Sequence, residues 1–113
     1  MRFFIFAVAC LVATTAWAGQ IPYHPKATLK VGQTVILKGV RTKCDGKRAP
    51  GFFSLRSKFP KVKIGVFKDG GKGTVNSKSC NKEVPARAIV FKATKKGKAS
   101  FQLYGDKFVV TVK

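Results

Sequence analysis

The sequence predicts an all-β domain: a seven-stranded antiparallel β-sandwich with one disulfide, preceded by a cleaved signal peptide. Three observations support this prediction. Apolar and polar residues alternate along the last third of the chain, which is typical of half-buried strands. The other periodic segments are filled by β-branched and aromatic residues, and none shows a convincing helical period. Short turn-forming clusters of Gly, Pro and Asp separate these segments.

The N-terminal residues have the pattern of a secretory signal peptide. A basic start at Arg2 is followed by the apolar run Phe3–Ala13 and by the A-x-A sequence Ala16-Trp17-Ala18. A retained membrane anchor is less consistent with the sequence, because the apolar run is too short to span a bilayer comfortably. We therefore expect residues 1–18 to be the signal peptide and residues 19–113 to form one periplasmic or secreted domain.

Four strands are predicted in the first half of this domain. They are Ala27–Val31, Thr34–Val40, Phe52–Leu55 and Val62–Phe67. The loop Arg41–Gly51 after the second strand contains the turn pairs Asp-Gly and Pro-Gly. The glycine-rich stretch Lys68–Pro85 is predicted to be irregular, with room for a short extra strand at Thr74–Val75.

The last three strands carry the clearest pattern in the chain. They are predicted at Ala86–Ala93, Lys98–Tyr104 and Lys107–Lys113, separated by turns at Thr94–Gly97 and Gly105-Asp106. Because strand side chains alternate between faces, one apolar set should point into the core. That set is Ile89, Phe91, Ala93, Ala99, Phe101, Leu103, Phe108, Val110 and Val112.

The cysteines predict one disulfide and no metal site. Cys10 leaves with the signal peptide, and two cysteines in a small exported domain, Cys44 and Cys80, most often pair. Such a bridge would close a loop of about 36 residues and typically stabilise by about 2–4 kcal/mol. The domain has too few suitable side chains for a metal site or a catalytic centre, because it contains one histidine, His24, and four scattered carboxylates. We therefore predict no enzyme activity, no cofactor and a surface position for His24.

Two segments resemble bacterial immunoglobulin-like domains. Ala27–Val35 is similar to the opening of such domains, and Phe91–Phe101 together with Val110–Val112 is similar to their closing strands. The resemblance implies one sheet of the first, second, fifth and fourth strands and another of the third, sixth and seventh. It also implies that Cys44 and Cys80 meet at one end of the first sheet, where the second and fifth strands are neighbours.

The charge balance indicates an anionic partner. The chain has 23 Lys and Arg against 4 Asp and Glu, a net charge of +19. A polyanion (nucleic acid, lipopolysaccharide or an acidic glycan) or an acidic protein surface would suit this charge. The loops after the second, fourth and sixth strands would share one end, and they supply our candidate anion-binding residues. These are Arg41, Lys43, Lys47, Arg48, Lys68, Lys72, Lys78, Lys82 and Lys107. The opposite end is basic as well, so a charge spread over the whole surface for solubility is the alternative.

Two further functions stay open. Chagasin-type cysteine-peptidase inhibitors are immunoglobulin-like domains that act through the same three loops, and Gly70–Gly73 is loosely similar to one of their motifs. Their Asn-Pro-Thr-Thr-Gly and Arg-Pro-aromatic signatures are missing here, but inhibition of some other secreted enzyme, one with an acidic cleft, stays open. The other open function is that of a structural component of a cell-envelope complex. Phe52 and Phe53 are expected in the core rather than stacked on bases or sugars.

Overall fold

The computed structural model describes residues 20–113, and the predicted signal peptide lies outside this range. The described chain forms two three-stranded sheets and one short helix. The elements are β1 (Lys26–Leu29), β2 (Thr34–Arg41), α1 (Phe52–Arg56), β3 (Gly65–Ser77), β4 (Lys82–Ala93), β5 (Gly97–Leu103) and β6 (Asp106–Val112). The prediction of an all-β fold with two sheets is confirmed. The prediction of seven strands is wrong for the described residues, which contain six.

The first sheet has the strand order β2-β4-β3, and the second has the order β1-β6-β5. The first sheet is antiparallel as predicted, but β1 pairs in parallel with β6, so the sandwich is not entirely antiparallel. The first strand was expected beside the second and instead joins the other sheet. The turn between these two strands carries the chain from one sheet to the other. In it, Gly32 N donates to the Ala93 carbonyl and the Gln33 carbonyl accepts from Ala93 N, which fixes the turn to the end of β4 in the first sheet.

The predicted third strand, Phe52–Leu55, is the helix α1. Leu55 is buried and Phe52 is partly buried. These two residues are three positions apart and so share one face of a helix. The Gly51 carbonyl accepts hydrogen bonds from Leu55 N and from Ser54 Oγ, which closes the first turn. A short apolar run does not distinguish a strand from one helical turn, which is why the sequence pattern misled.

The stretch Lys68–Pro85, predicted to be irregular, is a long β-hairpin. β3 continues to Ser77, and it includes the extra strand expected at Thr74–Val75. The glycines that indicate a loop form a β-bulge, because the register shifts between Asp69 and Lys72. Gly71 has φ +94, and a Cβ on Gly70 would lie 2.8 Å from the Ala88 Cβ, so this bulge requires glycine.

The core lies between the sheets and is rich in phenylalanine. Phe91 and Phe108 are fully buried, and the ring of Phe101 stacks on both, with centroids 6.1 and 6.0 Å apart. Phe67 packs edge-on against Phe91 at 5.5 Å. The alternation predicted for the last three strands is confirmed: seven of its nine members are buried, and Ala99 and Phe101 are half-buried against them.

Candidate polyanion-binding surface

The end of the β3–β4 hairpin is tied to the loop that follows β2. Cys44 and Cys80 form the predicted disulfide, with a Cα–Cα distance of 5.3 Å. Cys80 lies in the hairpin turn, residues 78–81, and Cys44 lies three residues beyond β2. Two hydrogen bonds join the same segments: Arg41 Nη2 donates to Ser79 Oγ at 3.2 Å, and Thr42 N donates to Pro85 O at 3.1 Å. The junction is therefore fixed covalently and by backbone pairing.

Six of the nine candidate residues lie on these two joined segments, and all six are exposed. We call them the tip cluster: Arg41, Lys43, Lys47, Arg48, Lys78 and Lys82. Lys78 and Lys82 flank Cys80 within two residues, and Lys43 is adjacent to Cys44. Two acidic residues, Asp45 and Glu83, belong to the same segments, which leaves a net charge of about +4 at the tip. Concentrated cations on a rigid scaffold form a footprint for a polyanion.

The other three candidates lie elsewhere. Lys68 and Lys72 are exposed residues of β3, and Lys107 is an exposed residue of β6 opposite Gln102. The turn before Lys107 is fastened to β2, because Lys38 Nζ donates to Asp106 Oδ2 at 2.6 Å and to the Tyr104 carbonyl at 3.3 Å.

Distance along the hairpin separates that turn from the far end of the tip cluster. Lys38 lies opposite Ile89, three residues from Arg41 along β2 and seven residues from Lys82 along β4. At the rise of an extended strand, these separations are about 10 Å and about 23 Å. Two of the three predicted loop regions therefore meet at one end, and the turn before Lys107 is tied to β2 at Lys38, short of that end.

Few cations in the described chain are neutralised by carboxylates. Residues 20–113 contain 22 Lys and Arg. In this range the two salt bridges join Lys38 to Asp106 and Arg87 to Asp69. Glu83 accepts a hydrogen bond from Gln20 Nε2 at 2.9 Å. Because self-repulsion of so many unpaired cations disfavours the compact state, a bound polyanion would relieve it.

A groove that sequence reasoning missed runs between the tip cluster and the β5–β6 turn. It encloses about 940 Å³, and its lining includes Arg41, Lys78, Asn76, Tyr23 and Tyr104. Tyr23 is 53% exposed, although its ring also packs edge-on against Phe108. Burial raises the pKa of Tyr104 above its usual value of 10.0. The groove thus offers three cations, two amides and two aromatic rings to a ligand held at the tip, although one cation, Lys38, is paired with Asp106.

The described residues contain no group of three or more His, Cys, Asp and Glu side chains that could hold a metal ion. His24 is exposed as predicted, and its Nδ1 lies 2.9 Å from the Ile36 carbonyl oxygen. A carbonyl only accepts, so this contact requires the proton on Nδ1. The helix found within residues 20–113 is too short to cross a membrane.

Comparison of the chain with known protein families, with curated proteins and with solved structures finds no match in any of the three.

Proposed function

We propose that this protein is an exported, non-enzymatic immunoglobulin-like module that binds a polyanion through the tip cluster. The observation that carries the proposal is the covalent junction of two basic segments, which holds six exposed cations on the hairpin end and on the loop tied to it. Nucleic acid, lipopolysaccharide and acidic glycans all offer closely spaced anions to such a surface. Contacts of this kind give affinity without reading sequence.

Salt dependence tests the proposal quantitatively. Each contact between a cation and a DNA phosphate contributes about 0.9 to the slope of log K against log salt for duplex DNA. If all six cations make such contacts, the slope should be about −5. We expect the oxidised protein to bind duplex DNA, lipopolysaccharide or heparin at physiological salt, and titrations across a salt series identify which ligand it prefers.

A charge-matched pair of variants separates a site from a general charge effect. The tip variant carries Lys43→Ser, Lys47→Ser, Arg48→Ser and Lys78→Ser. The control variant carries Lys95→Ser, Lys96→Ser, Lys98→Ser and Lys113→Ser, which are exposed residues outside the tip cluster. Arg41 is kept in both because its guanidinium bonds to Ser79.

For duplex DNA, the slope of log K against log salt should become shallower by up to about 3.6 in the tip variant. The control variant should keep most of the wild-type slope. Equal losses in the two variants would contradict a site at the tip and would indicate a response to total charge. Retained binding in the tip variant would contradict it as well.

Export is the second part of the proposal. The disulfide between exposed Cys44 and partly buried Cys80 is compatible with an oxidising compartment, where such bonds form and persist. The intact mass of protein recovered outside the cytoplasm should correspond to residues 19–113 with both cysteines oxidised. A mass that retains residues 1–18, or free thiols at Cys44 and Cys80, would contradict this part.

A further inference from the structure

The helix α1 holds a phenylalanine in solvent. Phe53 is 77% exposed, the most exposed of the large apolar side chains in the described chain. The prediction that it belongs to the core is therefore wrong. A large apolar side chain kept on the surface commonly marks an interaction site when it is part of a larger apolar patch.

The backbone that presents Phe53 is firmly attached to the domain. Leu55 is buried, and its carbonyl accepts a hydrogen bond from Tyr104 Oη at 2.8 Å. Pro50, which precedes the helix, accepts one from Arg87 Nε at 2.6 Å. Since both sides of α1 are fixed, the exposure of Phe53 is set by the fold and does not depend on a free loop.

Other apolar side chains extend this surface. A shallow depression of about 350 Å³ lies beside α1, and its lining includes Phe52, Arg56, Phe59, Val62, Val66 and Phe67. Val66 is 45% exposed. The Arg56 guanidinium lies 4.7 Å from the centre of the Phe53 ring and also lines the depression, so it joins the two parts. We call Phe53, Arg56, Val66 and this depression the α1 face.

The charged residues of the chain segment that forms the α1 face are all basic. No acidic residue occurs between Asp45 and Asp69, and Asp69 is paired with Arg87. The segment that forms the face and its continuation contain four exposed cations: Arg56, Lys58, Lys61 and Lys63. An apolar surface bordered by cations matches a partner that combines hydrocarbon with anionic headgroups.

We propose that the α1 face docks on the surface of an anionic lipid bilayer. Phe53 enters the boundary between headgroups and acyl chains, and the neighbouring cations contact lipid phosphates. A single protruding ring suits a deformable bilayer better than single-stranded nucleic acid, which is bound in grooves where successive aromatic rings stack on bases. This proposal does not depend on the tip cluster, because the two surfaces share no residue.

Vesicle binding of the full chain tests the proposal. Vesicles of phosphatidylglycerol with phosphatidylcholine are compared with vesicles of phosphatidylcholine alone, using wild type, Phe53→Ser and Val31→Ser. Val31 is the matched control, since it is an exposed apolar residue (50%) in the turn after β1. All three proteins have the same N-terminus, so a difference in binding between them arises from the substituted residue.

We expect Phe53→Ser to bind the anionic vesicles roughly tenfold more weakly, from the apolar area withdrawn from water. Val31→Ser should bind as the wild type does, and neutral vesicles should be bound less tightly by all three. Equal binding of wild type and Phe53→Ser, or equal binding to both kinds of vesicle, would overturn the proposal. Thermal unfolding of each variant establishes that the fold is retained.

A fluorescent reporter gives a local and independent readout. Trp17 is the single tryptophan of the chain, so Phe53→Trp in a Trp17→Phe background reports on α1 alone. Anionic vesicles should shift its emission to the blue, and brominated lipids should quench it. The same shift with the four tip substitutions added would separate this surface from the polyanion site. A shift with single-stranded DNA and none with vesicles would refute membrane docking.

Discussion

Removal of the Cys44–Cys80 disulfide should destabilise the protein strongly, because the bond joins residues 36 positions apart. In the chain-entropy description, a crosslink that closes a loop of about 36 residues lowers the free energy of the native state relative to the unfolded state by about 3.8 kcal/mol at 25 °C. Whole domains of this size are commonly stable by about 5–15 kcal/mol. The disulfide therefore supplies a large share of the stability.

The perturbation is the double substitution Cys44→Ser/Cys80→Ser, which removes the bond without leaving a free thiol. Guanidinium unfolding should show a midpoint lower by roughly 0.6–2 M, given the slopes typical of small proteins. Thermal unfolding should show a melting temperature lower by roughly 15–30 °C for a domain near this length. The dithiothreitol-reduced wild type provides the matched comparison.

Hydrogen exchange locates the effect. The amides of Thr42 and Cys80 bond to Pro85 and Ser77 at the tip, and they should exchange much faster without the disulfide. The amide of Phe91, in the middle of the core, should exchange only through global unfolding. A loss of less than about 1 kcal/mol at an unchanged guanidinium slope would refute the entropic reasoning.

Three further predictions concern the core and the contact between Tyr104 and α1. Gly65→Ala should destabilise by about 1–3 kcal/mol, since its Cβ would crowd the Phe91 ring and a strand carbonyl. Gly51→Ala is the control, because a Cβ there would lie 3.9 Å from Ser54 Oγ, an ordinary contact. Equal losses in the two variants would contradict the crowding at Gly65. Phe91→Ala should cost about 3–5 kcal/mol in urea unfolding, because Phe91 is fully buried, and a loss below 1 kcal/mol would argue against the packing. Tyr104→Phe should remove a phenolate absorbance change whose midpoint lies above pH 10, since burial raises the pKa of Tyr104. Because the pKa of Tyr104 is higher in the folded state than in the unfolded state, the stability linked to Tyr104 should be present below pH 10 and be lost as pH rises through the folded-state pKa. A midpoint of the absorbance change below pH 10 would refute the raised pKa.

Local pattern was sufficient to predict the strands that have one face in the core and one in water. Phe108, Val110 and Val112 alternate with polar or partly exposed residues, and all three are buried as expected. The disulfide was predictable for a different reason. The domain contains two cysteines and too few histidines and carboxylates to form a metal site or a catalytic centre with them. The excess of cations is likewise a property of the sequence alone.

Where local pattern failed, a contact distant in sequence decided the structure. Phe52–Leu55 forms a helix because Leu55 reaches the core while its carbonyl meets the Tyr104 hydroxyl. Gly70 and Gly71 form a bulge within a hairpin because Ala88 and Val90 lie across the strand. The same glycines in isolation indicate a flexible loop, so no local rule separates the two outcomes.

The candidate surfaces divide in the same way. Residue type and spacing were sufficient to show that residues 19–113 carry many cations, two cysteines and strands with an apolar face. Lys43 and Lys78 share one end, as the sequence predicted, but the packing of the sheets places Lys107 on another part of the surface. The tertiary structure also decided that Phe53 remains in solvent. Burial and proximity depend on how the sheets and α1 pack together, and residue type and spacing do not specify that packing.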